Sequence, residues 1–94
     1  MKKLALVTGA SKGIGRALAE EFASHGYSLI LIARTLSELG ELQKNLQSKY
    51  QTESKILSID LQQFDCIDKI ISEIKQDLPN LDVLVNNAGY GISK

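Results

Sequence analysis

Leu4-Ala5-Leu6-Val7-Thr8-Gly9-Ala10-Ser11-Lys12-Gly13-Ile14-Gly15 runs from an apolar strand directly into a glycine-rich turn. Three glycines fall within seven residues, Gly9 to Gly15. They let the backbone approach a ligand where a Cβ would collide. The helix expected after the turn aims its unpaired N–H groups and the positive end of its dipole at the same place. The turn therefore reads as an anion cradle with Gly9, Ser11, Lys12, Gly13, Ile14 and Gly15 around it, and a nucleotide pyrophosphate is the occupant it suits. Its spacing is Gly-x-x-x-Gly-x-Gly, which differs from the general Gly-x-Gly-x-x-Gly fingerprint. It is not a P-loop, because Lys12 precedes Gly13 instead of following the last glycine. Without a ligand the same residues would make a tight strand-to-helix turn.

Working outward, short apolar runs alternate with longer amphipathic ones. Lys3 to Val7 reads as a buried strand, and Gly13 to about His25 as a helix with Ile14, Leu18 and Phe22 four apart on one face. Gly26 is placed to stop that helix. Ser28 to Ala33 is apolar on both faces, as in a strand covered on two sides. Thr35-Leu36-Ser37-Glu38 has the spacing of a capping box and opens a helix to about Tyr50, with Leu36, Leu39, Leu42 and Leu46 as its buried stripe. Lys55 to Ile59 is a third strand. Asp65 can cap a third helix with Ile67, Ile70, Ile71 and Ile74 toward the core. Leu78-Pro79-Asn80 breaks it, and Asp82 to Val85 is a fourth strand. The order β-α-β-α-β-α-β predicts an α/β fold with a parallel sheet and right-handed crossovers.

Composition narrows the class. Of the 94 residues, 44% are hydrophobic and 23% charged, and eleven basic side chains balance eleven acidic ones. That size gives one domain at most. No basic excess points to nucleic acid or to an anionic membrane. No apolar run approaches the roughly 18 residues of a membrane span, and Leu4 to Val7 is too short for a signal peptide. The one cysteine, Cys66, has no partner in the sequence, which fits a cytoplasmic setting. His25 reads as a helix-end residue and Cys66 as a packing residue. Asp65 and Asp68 read as helix-start carboxylates, and together with Asp60 they are not read as a metal site.

Cofactor choice is read at the end of the second strand. A site for NAD usually places an acidic side chain about twenty residues beyond the glycine turn, to hold the ribose 2′-hydroxyl. Here Arg34 stands nineteen residues after Gly15, and the next carboxylate is Glu38. A guanidinium offers a 2′-phosphate a charge-assisted fork, where a carboxylate would repel it. Lys12 supplies a second cation in the turn. The two residues predict NADP (NADPH) over NAD; the alternative is a pair of solvated surface cations.

These residues resemble the short-chain dehydrogenase/reductase family. Thr8-Gly9-Ala10-Ser11-Lys12-Gly13-Ile14-Gly15 is similar to its Thr-Gly-x-x-x-Gly-x-Gly turn, and Asn86-Asn87-Ala88-Gly89 to its Asn-Asn-Ala-Gly motif after the fourth strand. The resemblance implies a partial Rossmann doubly wound fold with three helices and four parallel strands ordered 3-2-1-4. It implies that Asp60 contacts adenine with Leu61 beside it, that the asparagines tie the sheet together, and that Asn87, Ala88 and Gly89 lie along the cofactor. The family's NADP-preferring members carry basic residues where Lys12 and Arg34 stand. Its chemistry, hydride transfer between a carbonyl and an alcohol, is done by a Ser, a Tyr and a Lys beyond the Asn-Asn-Ala-Gly motif. Tyr90-Gly91-Ile92-Ser93-Lys94 has the Tyr-x-x-x-Lys spacing, but it follows the fourth strand at once and includes Gly91, so no catalytic residue is assigned. In the family, Tyr90 would border the nicotinamide. Residues 1–94 are accordingly expected to be the N-terminal portion of a single dinucleotide-binding domain of roughly 230–280 residues, with a small carbonyl or alcohol substrate only in a full-length form. The competing readings are a non-catalytic nucleotide-binding or redox-sensing module, and a fragment completed by a second chain.

Overall fold

The computed structural model describes residues 2–87. Its elements, in chain order, are β1 (Leu4–Thr8), α1 (Gly13–Ser24), β2 (Ser28–Ala33), α2 (Leu36–Tyr50), β3 (Ser54–Ser58), α3 (Cys66–Ile74), a 3₁₀ turn (Leu78–Asn80) and β4 (Leu81–Val85). The strands form one parallel sheet in the order β3-β2-β1-β4. The expected elements are all present, with ends displaced by about one residue except in α3. The sequence predicts that helix to run to the Leu78-Pro79-Asn80 break, but it ends at Ile74, with turn residues 75–77 leading into the 3₁₀ turn.

Strand alternation builds the two halves of the core. Ala5, Val7, Leu29, Leu31 and Ala33 pack on one side of the sheet with Ala19 and Ala23 of α1 and Leu39, Leu42 and Leu46 of α2. Leu6, Ile30, Ile32 and Leu57 form the other side with Ile70 and Ile74 of α3. Successive strand side chains point to opposite faces, so β1 and β2, apolar at nearly every position, are covered on both. Helices on both faces make the sheet doubly wound.

The helix interiors correct three expectations. The buried stripe of α1 is Gly15, Ala19 and Ala23, one position on from Ile14, Leu18 and Phe22. Small residues let the helix backbone lie close to the sheet, which leaves Ile14 70% exposed and Phe22 half-buried against the edge of Tyr27. In α2, Leu39, Leu42 and Leu46 are sealed, but Leu36 in the first turn is 57% exposed. In α3, Ile70 and Ile74 reach the core, whereas Ile67 and Ile71 are 58% and 45% exposed. Their side of the helix overhangs the β4 edge, where with Leu78, Leu81 and Leu84 they line an open apolar groove of about 330 Å³.

Helix ends follow backbone rules more than side-chain ones. After α1, Tyr27 N–H donates to the Phe22 carbonyl at 3.1 Å and Gly26 N–H to the Ala23 carbonyl at 3.0 Å. With Gly26 at φ +85°, this is a Schellman stop. The predicted capping box does not form, because the Thr35 side chain makes no cap hydrogen bond. Asp65 likewise sits at the N-cap of α3 without a capping bond; its carboxylate lies 3.7 Å from Lys69 Nζ, one turn on.

Candidate functional site

The carboxyl ends of all four parallel strands lie at one end of the sheet. Chain order reverses between β1 and β4, since β2 and β3 extend one way from β1 and β4 lies on the other. In open α/β sheets ligands bind outside the strand ends at such a point. An open cavity of about 350 Å³ lies there, lined by Gly9, Ser11 and Lys12 after β1, Ala33 and Arg34 at the end of β2, Ile59, Asp60, Leu61 and Gln62 after β3, and Asn87 after β4.

Hydrogen bonds hold this rim. Ala10 N–H donates to the Ile32 carbonyl at 3.1 Å and Ile59 N–H to the Ala33 carbonyl at 2.9 Å. Ser58 Oγ donates to the Arg34 carbonyl at 2.8 Å, fixing the backbone from which the guanidinium projects. The Thr8 hydroxyl accepts from Asn87 N–H at 2.8 Å and lies 3.3 Å from both the Val85 carbonyl and Asn86 Oδ1. It thereby joins the ends of β1 and β4. Asp60 Oδ1 accepts from Gln62 N–H at 2.9 Å, an Asx turn that shapes the floor after β3.

The glycine turn has the geometry a close-approaching anion requires. Gly9 and Gly13 have φ of +62° and +55°, in the left-handed region that side chains disfavour. Gly15 is constrained by space: a Cβ there would overlap the Gly9 carbonyl oxygen and stand 2.7 Å from Asn87 Nδ2. No side chain caps the N-terminus of α1, so its first N–H groups carry no capping bond from a side chain. This cradle fits a phosphate-bearing group.

Of the residues singled out from sequence, Gly9, Ser11, Lys12, Arg34, Asp60, Leu61 and Asn87 line one cavity. Gly13, Ile14 and Gly15 belong to the turn and first turn of α1 beside it, with Gly15 buried behind the rim and Ile14 facing outward. Ala88, Gly89 and Tyr90 lie outside the described residues. Sequence reasoning missed Ala33, Ile59 and Gln62; the signal for the first two was their position at the carboxyl ends of apolar strands. Among the described residues no three His, Cys, Asp or Glu side chains gather as a metal-ligand set, and no helix is long and apolar enough to cross a membrane. His25 Nδ1 lies 2.9 Å from the Glu21 carbonyl, at the end of α1 and away from the cavity.

A doubly wound parallel sheet with a glycine-lined anion cradle at its switch point defines a dinucleotide-binding class of α/β protein. The family model for short chain dehydrogenases matches residues 3–94. The chain belongs to that family. It is 45% identical over 93 residues to the very-long-chain 3-oxoacyl-CoA reductase-B of Danio rerio, a match covering 97% of this chain and 29% of that protein. It is 38% identical over 91 residues to the NADP-dependent 3-hydroxy acid dehydrogenase of Schizosaccharomyces pombe, covering 96% and 35%. The fold superposes on L-sorbose reductase from Gluconobacter frateurii, solved with NADPH and L-sorbose, with a TM-score of 0.86 at 33% identity over 99% of this chain and 35% of that one. A short-chain dehydrogenase from Sphingobium yanoikuyae in complex with NADPH gives the same TM-score and identity, covering 98% and 36%. The chain thus spans about a third of the length of these relatives.

Proposed function

We propose that residues 1–94 form the N-terminal portion of a single dinucleotide-binding domain and hold NADP(H) in an oxidoreductase that interconverts a carbonyl and an alcohol. The observation that carries the cofactor preference is that Lys12 and Arg34 line the same cavity. The Arg34 guanidinium forms no ion pair among the described residues. A ribose 2′-phosphate at the end of β2 would meet two cations where an NAD site has a carboxylate. The NADPH-complexed structures and the NADP-dependent relative support this reading.

In this proposal Gly9, Ser11, Gly13, Ile14 and Gly15 hold the pyrophosphate, Asp60 and Leu61 border the adenine, and Asn87, Ala88 and Gly89 lie along the nicotinamide half. The bound nicotinamide supplies or accepts hydride. The residues here contribute affinity and orientation, which raise the effective concentration of the reacting centre. The group that moves the proton belongs to the family pattern beyond Gly89.

The test is a pair of binding titrations with NADPH and NADH. NADPH is expected to bind more tightly, and Arg34→Asp to reverse the order through a loss of about tenfold or more in NADPH affinity. An NADPH affinity that survives Arg34→Asp unchanged overturns the assignment.

A further inference from the structure

Glu38 stands where a capping box would place its glutamate, yet it serves another group. It lies in the first turn of α2, and its Oε2 is 3.7 Å from Lys12 Nζ. Oε1 is buried and has no hydrogen-bond partner among the described residues. The two side chains differ in freedom, with Lys12 79% exposed and Glu38 35% exposed. The carboxylate sits in the first turn of α2, and the ammonium is the more exposed of the two groups.

Glu38 does not line the cavity, but Lys12 does. The ion pair therefore reaches into the pocket only through the lysine. A buried carboxylate oxygen without a donor makes the nearby cation more valuable to Glu38 than to an exposed glutamate. Any phosphate that draws on Lys12 shares it with this anion.

We propose that Glu38 is a positioning residue that competes with the cofactor 2′-phosphate for Lys12 and so tempers the preference for NADP(H) over NAD(H). This rests on the proposed placement of that phosphate beside Lys12 and Arg34. Glu38 sets how strongly the second cation is committed before cofactor arrives. It acts against the phosphate-bearing cofactor and leaves its 2′-hydroxyl counterpart largely unaffected.

The experiment compares NADPH and NADH dissociation constants for the protein and its Glu38→Gln, Lys12→Gln and doubly substituted forms. Glu38→Gln keeps the side-chain shape and removes the charge. It is expected to tighten NADPH about two- to fivefold, the range of an exposed ion pair, with a smaller change for NADH. The gain should vanish in the Lys12→Gln background and shrink as salt rises from about 0.01 M to about 1 M. Weaker NADPH binding in Glu38→Gln, an unaltered NADPH-to-NADH ratio, or a full gain that persists without Lys12 each overturns the competition. If the unsubstituted protein binds NADPH no better than NADH, the cofactor reading fails first and this inference with it. If it prefers NADPH and Glu38→Gln changes nothing, this inference alone fails.

Discussion

The Thr8 hydroxyl accepts a 2.8 Å hydrogen bond from Asn87 N–H across 79 positions of sequence. Thr8 is buried at the end of β1, and its hydroxyl also lies between the Val85 carbonyl and Asn86 Oδ1. One side chain thus closes the switch point that the cavity occupies.

Thr8→Val keeps the shape and removes the hydroxyl, leaving the Asn87 N–H without this acceptor. The expected cost is about 1–3 kcal/mol, read as a lower urea midpoint at unchanged slope. Thr8→Ser should restore most of it. Equal stability for the valine and serine forms would show that the link contributes nothing.

Gly15 and Gly13 are predicted to respond differently to the same methyl group. At Gly15 the added carbon meets the Gly9 carbonyl and Asn87 Nδ2, so backbone must move and the rim with it. At Gly13 nothing lies within 4 Å, and the cost is its φ of +55° alone. Gly13→Ala should lose about 1–2 kcal/mol, whereas Gly15→Ala should lose more and also abolish dinucleotide binding. Thermal unfolding and an NADPH titration on both variants check this; a milder Gly15→Ala would contradict the close approach.

These contrasts mark how far the sequence is legible. Ser28 to Ala33, apolar at consecutive positions, announces a strand covered on both faces, and the glycine spacing announces the turn. Both depend on neighbours along the chain. The exposure of Ile67 and Ile71 depends on where the described sheet ends, at β4, which periodicity within α3 does not record. The stripe of α1 shifted for a related reason: apolar spacing marks the largest residues, while close packing selected Gly15, Ala19 and Ala23. In the candidate site, Lys12 and Arg34 were legible as cations. The partner of Lys12 was not, because Thr35-x-x-Glu38 is a local pattern whereas the Lys12–Glu38 ion pair joins two separate elements.

Gln51 carries the last prediction. It ends α2 in the left-handed region at φ 54° and ψ 36°, the one non-glycine residue with positive φ among those described. Its N–H donates to the Gln47 carbonyl at 2.9 Å, the bond of an αL stop, and the Thr52 N–H beyond it donates to the Leu46 carbonyl at 3.4 Å. Gly26 does the same work at the end of α1 without a Cβ. Placing glycine at 51 removes a steric cost of roughly 1–2 kcal/mol and adds back part of it as greater freedom in the unfolded chain. The balance should favour Gln51→Gly by about 0.5–1 kcal/mol, while Gln51→Val, branched at Cβ, should destabilise. Chemical denaturation of the two variants decides the matter: a glycine form no more stable than the parent would mean that α2 ends by some other constraint than its αL residue.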